Sequence, residues 1–319
     1  MNVQNVGGYQ TGIDYLPAAG KNIFERENVN FNVEEATAEK VNEGAIKTAE
    51  QKTQDIKDAY AVMTSGVGAS KAASKNETIQ IWLNQLGFYS GKVDGNLYTT
   101  ASKKALKNFQ RVYGLAQTGQ ISNMVQDKLK AATSCYRAVA SKSDLGTITS
   151  MVSGYSDFKE SEIRDYFAKT WAFFRVGMGL TVRQASGVLG NIMAESGCVP
   201  DNAQDTGTNK KLHDKDYKFN VSDGRGYGLI QWTIKERKQL LKDTSSQMGL
   251  SVSDINAQFA CFRKETERDD LTKSAWNKLK KTDLIDGATG IFLNEIEMPG
   301  NRNFSERYEK ATTIYSVMK

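Results

Sequence analysis

Apolar residues recur at helical spacing over two stretches of the chain and are sparse between and before them. In the first stretch, Ile79, Leu83 and Leu86 line one helical face and Gly87 follows as a stop. Ala105, Leu106 and Phe109 then make a second apolar face, and a third short helix runs to Leu129. The segments Gly91-Lys92-Val93-Asp94-Gly95, Gly114-Leu115 and Thr118-Gly119 carry turn chemistry, so residues 77–132 read as three small helices joined by fixed turns. In the second stretch, helical patterns run over 159–178, 182–196, 234–249, 253–267, 271–281, 284–295 and 305–318, which predicts a mainly α domain over 158–319. The exception is 226–233 (GYGLIQWT), which reads as a short strand or hairpin arm.

The remaining segments are more polar. Residues 1–32 are rich in Asn and Gly and read as disordered or weakly ordered. Residues 33–64 are rich in Ala, Glu and Lys, with a thin stripe of Val41, Ala45, Ala49 and Ile56. That stripe predicts a weakly amphipathic helix, too polar to fold alone and suited to docking on a partner or to spacing. Small residues follow to position 76, so 33–76 form a polar helix and linker. Residues 133–157 lack a strong period and read as a second linker, in which Ile148 and Met151 are the side chains able to pack on a neighbour.

Charge narrows the partners. The 319 residues hold 42 basic and 37 acidic side chains, a formal net charge of +5. So small and so mixed an excess makes no case for nucleic acid, which is not expected as a partner, and is compatible with an anionic polymer such as a bacterial wall. The opening MNVQNVGGYQTGIDYLP has neither a basic start nor an apolar run, so no secretory signal is expected, and no segment approaches the ~20 apolar residues of a membrane span. The three cysteines, Cys135, Cys198 and Cys261, form no metal-binding pattern. Buried free thiols are the favoured expectation, with a Cys198–Cys261 bridge left open. No metal and no cofactor are expected.

Two segments carry candidate chemistry. In 180–197, Thr181 and Gln184 make a capping box, Ala185, Val188, Leu189, Ile192 and Met193 form a buried face, and Gly187 and Gly190 let another helix approach closely. Ser196-Gly197 ends the helix, which puts Glu195 in its last turn, where the helix dipole disfavours a carboxylate. In apolar surroundings such a carboxyl stays protonated near neutrality and can act as a general acid; the plainer reading is an exposed glutamate at a helix end. In 226–233, Gln231 offers a donor and an acceptor to a sugar. Tyr227 and Trp232 offer flat rings to a pyranose or to the core. Thr233 with Glu236 predicts another capping box. The lone His213 reads as a solvated loop residue, and no Ser/His/Asp or Cys/His arrangement is legible.

Two resemblances extend this reading. The order Ile81-Trp82-Leu83-Asn84-Gln85-Leu86-Gly87-Phe88-Tyr89, Gly91, Val93-Asp94-Gly95, Ala105, Phe109-Gln110, Gly114-Leu115 and Thr118-Gly119 resembles the peptidoglycan-binding-1 family of three-helix modules. Tyr98 stands near where that family prefers Gly, and one extra residue precedes Phe109-Gln110. The resemblance implies wall binding, for which Tyr89, Asp94, Tyr98 and Gln110 are the exposed candidates, unless the module only spaces or docks. Gly190-Asn191-Ile192, Glu195-Ser196-Gly197 with Pro200, then Gly226 to Thr233 with Arg237, and finally Glu297-Met298-Pro299 with Arg307, Ala311 and Tyr315 resemble the phage tail-type lysozyme family of the lysozyme-like superfamily.

That second resemblance implies cleavage of the β-1,4 bond between N-acetylmuramic acid and N-acetylglucosamine, with Glu195 as the acid and Gln231 holding the sugar. Glu297 would line the cleft or pair with Arg302 or Arg307. A hydrolase usually needs a second carboxylate, for which Asp205, Asp223 and Glu297 are candidates. A lytic transglycosylase manages with one, and the hydrolase is the leading reading. The implied partner is the glycan strand of the bacterial wall. Without a signal, release through a holin, carriage in a virion or flagellar-type export would bring the protein there, and the N-terminal helix could dock on such a machine. A non-enzymatic wall-binding component of a phage tail or flagellar assembly is the rival reading.

Overall fold

The computed structural model describes residues 73–319 except 154–155, 205–210, 215–216, 269, 271 and 301. The expectations for 1–32 and for the polar helix after it lie outside these residues. The described chain is mainly α, with helices α1 (Lys75–Gln85), α2 (Thr100–Val112), α3 (Asn123–Ala140), α4 (Gly146–Ser153), α5 (Glu160–Ala172), α6 (Val182–Ser196), α7 (Lys235–Met248), α8 (Ile255–Glu267), α9 (Lys273–Leu279), α10 (Ile285–Ile291) and α11 (Phe304–Met318). One hairpin, β1 (Asn202–Gln204) with antiparallel β2 (Lys211–His213), pairs Asn202 with His213. Among the described residues no helix is long and apolar enough to cross a membrane.

The front module is α1, α2 and the start of α3. Leu83, Leu86, Leu106, Phe109 and Leu129 fill its centre as their spacing predicts. A polar brace inside it escaped the sequence reading. Buried Gln80 accepts from the backbone N–H groups of Asp94 and Gly95 at 2.9 and 2.7 Å and donates to Asp94 Oδ1 at 3.0 Å, fixing the turn. Two of the residues expected to be exposed are likewise internal. Gln110 is fully buried, donates to Thr118 Oγ1 and the Gln120 carbonyl, and accepts from the Gly119 N–H. Tyr89 is buried and donates to the Lys92 carbonyl at 2.8 Å.

The stretch 133–157 is not an extended connector. α3 runs through its first residues, a short 3-10 turn and α4 follow, and Val139, Leu145, Ile148 and Val152 are buried in the core. These four apolar positions are few and irregularly spaced yet face inward, which a search for sustained periodicity misses. The front module is accordingly not on a tether. Asn108 donates to the Met248 carbonyl (3.2 Å), Arg263 Nε to the Val112 carbonyl (2.7 Å) and Asn256 to the Leu86 carbonyl (3.1 Å), so α1 and α2 rest directly on α7 and α8.

α6 is the central helix of the larger domain. Its capping box forms as predicted, with the Thr181 hydroxyl accepting from the Gln184 N–H and Gln184 Oε1 accepting from the Thr181 N–H. Gly197 ends it at φ 63°. Its two glycines are contact points. A Cβ on Gly187 would lie 2.7 Å from Ala288 Cβ, and one on Gly190 would lie 2.5 Å from the Arg307 carbonyl oxygen. α10 and α11 therefore cross α6 at backbone distance, which no larger residue permits.

Segment 226–233 is not a strand. Gly228 (φ 77°) and Gln231 (φ 51°) turn the chain back, so that Tyr227 and Trp232 exchange backbone hydrogen bonds at 3.2 and 2.9 Å. Only one bridge, Ala203 with Tyr227, joins this loop to β1. The capping box expected at Thr233 is absent too. α7 begins one residue later with Ile234 as its cap, and the Thr233 hydroxyl donates to the Gln231 carbonyl.

Candidate active site

The last turn of α6 presents Glu195 to a buried guanidinium. Arg307, projecting from α11, reaches Glu195 Oε1 with Nη2 and both oxygens of Glu297 with Nη1 at 3.2 and 3.3 Å. The same Nη1 donates to the Asn191 carbonyl at 3.3 Å, which ties the arginine to the helix that carries Glu195. Glu297 comes from the π-helical turn Phe292–Glu297 that continues α10. Glu195 and Glu297 thus meet on one guanidinium, which sets their carboxyls side by side. Glu195 therefore sits among charged partners, not in the purely apolar surround that its helix suggested.

Exposure separates the two carboxyls. The Glu195 side chain is 18% exposed, whereas Glu297 is 2% and Arg307 5% exposed. Burial pushes the Glu297 carboxyl well above the ordinary range, and neighbouring Glu195 pushes it further; Arg307 and Arg237 offset this only in part. Burial alone would weaken the charge on Arg307, but Glu297 and Glu195 outweigh it and raise its pKa.

A second buried ion pair backs the first. Arg237 holds Glu265 through two bonds of 2.8 and 2.9 Å and donates to the Ile296 carbonyl at 3.0 Å, next to Glu297. Trp232 Nε1 donates to the same Glu265 at 2.9 Å. Glu265 was invisible in the sequence, where it is one acidic residue among many on a helix. Arg237 was marked only by its place in the family pattern.

The 226–233 loop is anchored beside the end of α6. Ser196 Oγ, one residue beyond Glu195, donates to the Leu229 carbonyl at 2.8 Å. Gln258 accepts from the Leu229 N–H at 2.9 Å and donates to the Pro200 carbonyl at 2.6 Å. Gln231 is partly exposed, but its amide donates to Asn202 Oδ1 (3.0 Å) and the Gly228 carbonyl (2.9 Å), so its donor end holds the loop. Tyr227 and Trp232 are fully buried and cannot serve as sugar platforms. Tyr227 donates to Asp214 at 2.6 Å.

Asp223, a candidate second carboxylate, is committed elsewhere. It accepts from buried Lys238 at 2.6 Å and from Tyr217 at 2.8 Å. Burial alone would raise its pKa, but the Lys238 ammonium, aided by the Arg225 N–H and Tyr217, holds the carboxyl below its usual range. Asp205 lies outside the described residues. In the front module, Tyr98 is 81% exposed with Lys103 Nζ 5.9 Å from its ring centre. Asp94 is exposed, and Gln80 and the Asn96 N–H hold its carboxyl below the usual range.

His213 is not a solvated loop residue. Its Nδ1 lies 2.9 Å from both oxygens of Asp201, its Nε2 lies 3.4 Å from Glu162, and Phe158 meets its ring edge-on. Burial disfavours its charge, yet Asp201, Asp157 and Glu162 prevail and raise its pKa. The imidazolium therefore latches β2 to α5. A pKa higher in the folded than in the unfolded state gives a stabilisation that is complete below about pH 6.5 and is lost as pH rises through the folded value. Hydrogen exchange in the β1–β2 hairpin, corrected for intrinsic rates, is expected to quicken as pH rises from below about 6.5 into the alkaline range. A His213→Ala variant should exchange fast throughout; equal protection at both ends of that range in the native protein would remove the latch.

The mainly helical domain, whose buried central helix ends on a carboxyl with a guanidinium and a second carboxyl behind it, is consistent with a lysozyme-like α domain. Residues 166–318 match the family model for phage tail lysozyme, and residues 74–129 match the model described as a peptidoglycan binding domain. The chain thus carries a phage tail lysozyme domain behind a peptidoglycan-binding-1 module, and is a lysozyme-like protein directed at peptidoglycan. No curated protein and no solved structure matches it.

Proposed function

We propose that the protein cleaves the β-1,4 bond between N-acetylmuramic acid and N-acetylglucosamine, with Glu195 as general acid and Tyr98 as a wall contact of the front module. The observation that carries the reading is the contrast within the charged cluster. Of the two carboxyls that Arg307 bridges, only Glu195 has surface open to a glycan. In cleavage, the Glu195 proton passes to the glycosidic oxygen, the bond from that oxygen to the anomeric carbon breaks, and the sugar departs as an alcohol. For hydrolysis, water then adds to the anomeric carbon.

A second reading has its own support. Glu297 is enclosed and Asp223 is held by Lys238, so neither is placed to activate water or attack the sugar. A single acid/base suits a lytic transglycosylase, in which the substrate's own hydroxyl closes an anhydro ring. Mass spectrometry of muropeptides released from purified sacculi tests both readings. Reducing N-acetylmuramic acid ends are expected, each one water heavier than the anhydro ends of the rival reaction. Digests with all glycan bonds intact would end both.

A further inference from the structure

We infer that Glu297 is the proton store of this site, a positioning residue that keeps Glu195 supplied with the proton it delivers. The inference rests on the assignment of Glu195 as the acid. Glu297 on the π turn faces Glu195 from α6, Arg307 from α11 and Arg237 from α7, with Glu265 of α8 behind Arg237. Glu306 is the further acid near Arg307, and it lies on the surface beside Lys310 at 3.7 Å. Three enclosed or half-enclosed carboxyls thus meet two guanidiniums. Arg237 and Glu265 neutralise each other through two bonds, which leaves Glu195 and Glu297 sharing Arg307.

One proton makes the cluster neutral, and like charges in contact cannot both ionise cheaply. The more enclosed carboxyl is the better place to keep that proton, because burial penalises its charged form more. The guanidinium that both carboxyls contact sets them side by side, and this proximity supplies the path. In the forward step the proton moves from Glu297 to Glu195 and from Glu195 to the glycosidic oxygen. Both carboxyls are then ionised beside Arg307. The proton released when water adds to the anomeric carbon restores the store, so the cycle closes without another reagent. Glu297 never touches the glycan. Its effect is to hold the pair half-protonated to a higher pH than a lone carboxyl beside an arginine would allow.

The test is the pH profile of kcat/KM for muropeptide release by the full chain. In Glu297→Gln the amide keeps a similar shape and an acceptor for Arg307 but has no proton to give and no like charge. Its alkaline limb is expected to move down by about one pH unit or more, with activity largely kept at acid pH. A purely structural role would lower the whole profile without moving the limb, and that result, or an unchanged profile, overturns the inference. Glu297→Asp, which keeps a carboxyl, should restore most of the limb. If the Gln variant does not fold, carboxyl 13C NMR of the native protein decides: a glutamate still protonated at neutral pH is expected, and titration of every glutamate near about 4.3 overturns the proposal. Native protein that releases nothing at any pH, or Glu195→Gln that stays active, would instead strike the assignment of the acid itself.

Discussion

Glu195→Gln is expected to abolish muropeptide release, by about 10²–10⁴-fold if the residue supplies general acid catalysis alone. The amide can still accept from Arg307, and the side chain is 18% exposed, so the substitution disturbs little packing. The variant should therefore melt within a few degrees of the native protein and still sediment with sacculi through the front module. This separation makes the result informative. Loss of cleavage with unchanged melting and binding locates the chemistry at the end of α6, whereas a variant that cleaves at the native rate would show that the proton comes from elsewhere.

Glu265→Ala is expected to give the largest loss of stability. Glu265 is fully buried and carries both bonds to Arg237, itself 5% exposed, as well as the Trp232 indole bond. Removing it strands a buried guanidinium, a change that typically costs about 3–5 kcal/mol. For a folded unit of this size that corresponds to a fall in Tm of roughly 6–20 °C, measurable by thermal denaturation. The penalty comes from the unpaired charge, so a double variant with Met at both Arg237 and Glu265 should recover much of it. A single variant melting within about 2 °C of native protein would contradict the account.

Much of the fold was legible because amphipathic stripes report which side of a helix faces inward. Gly187 and Gly190 are the best instance: small residues on a buried face predict a close crossing, and α10 and α11 supply it. The site was legible only in outline. The position of Glu195 in the last turn of α6 follows from the capping signals and Gly197, but its guanidinium neighbour lies 112 positions away and no local pattern reveals it. The family pattern offers Arg302 and Arg307 alike as partners of Glu297, and nothing local in the chain reveals that Arg307 holds Glu195 as well.

Residue type misled where direction mattered. Tyr227, Trp232, Tyr89 and Gln110 have side chains that suit sugars, but each points inward and satisfies its polar group there. His213 failed for the opposite reason. A lone histidine in a polar loop looked inert, yet the hairpin brings Asp201 to it and α5 brings Glu162.

The direct seating of α1 and α2 on α7 and α8 has a mechanical consequence. Two modules joined by a flexible tether can sample many separations along a polymer, whereas here the front module and the domain behind it share one frame, and so would the grip and the cutting edge of the proposed enzyme. A strand held at the front would present its bonds to Glu195 at a set offset, as a ruler does, and the lengths of the fragments would carry that spacing. Deleting residues 74–129 to obtain a minimal cutter would also strip the cover from Asn256 and Met248, leaving a raw face where there is now an interior.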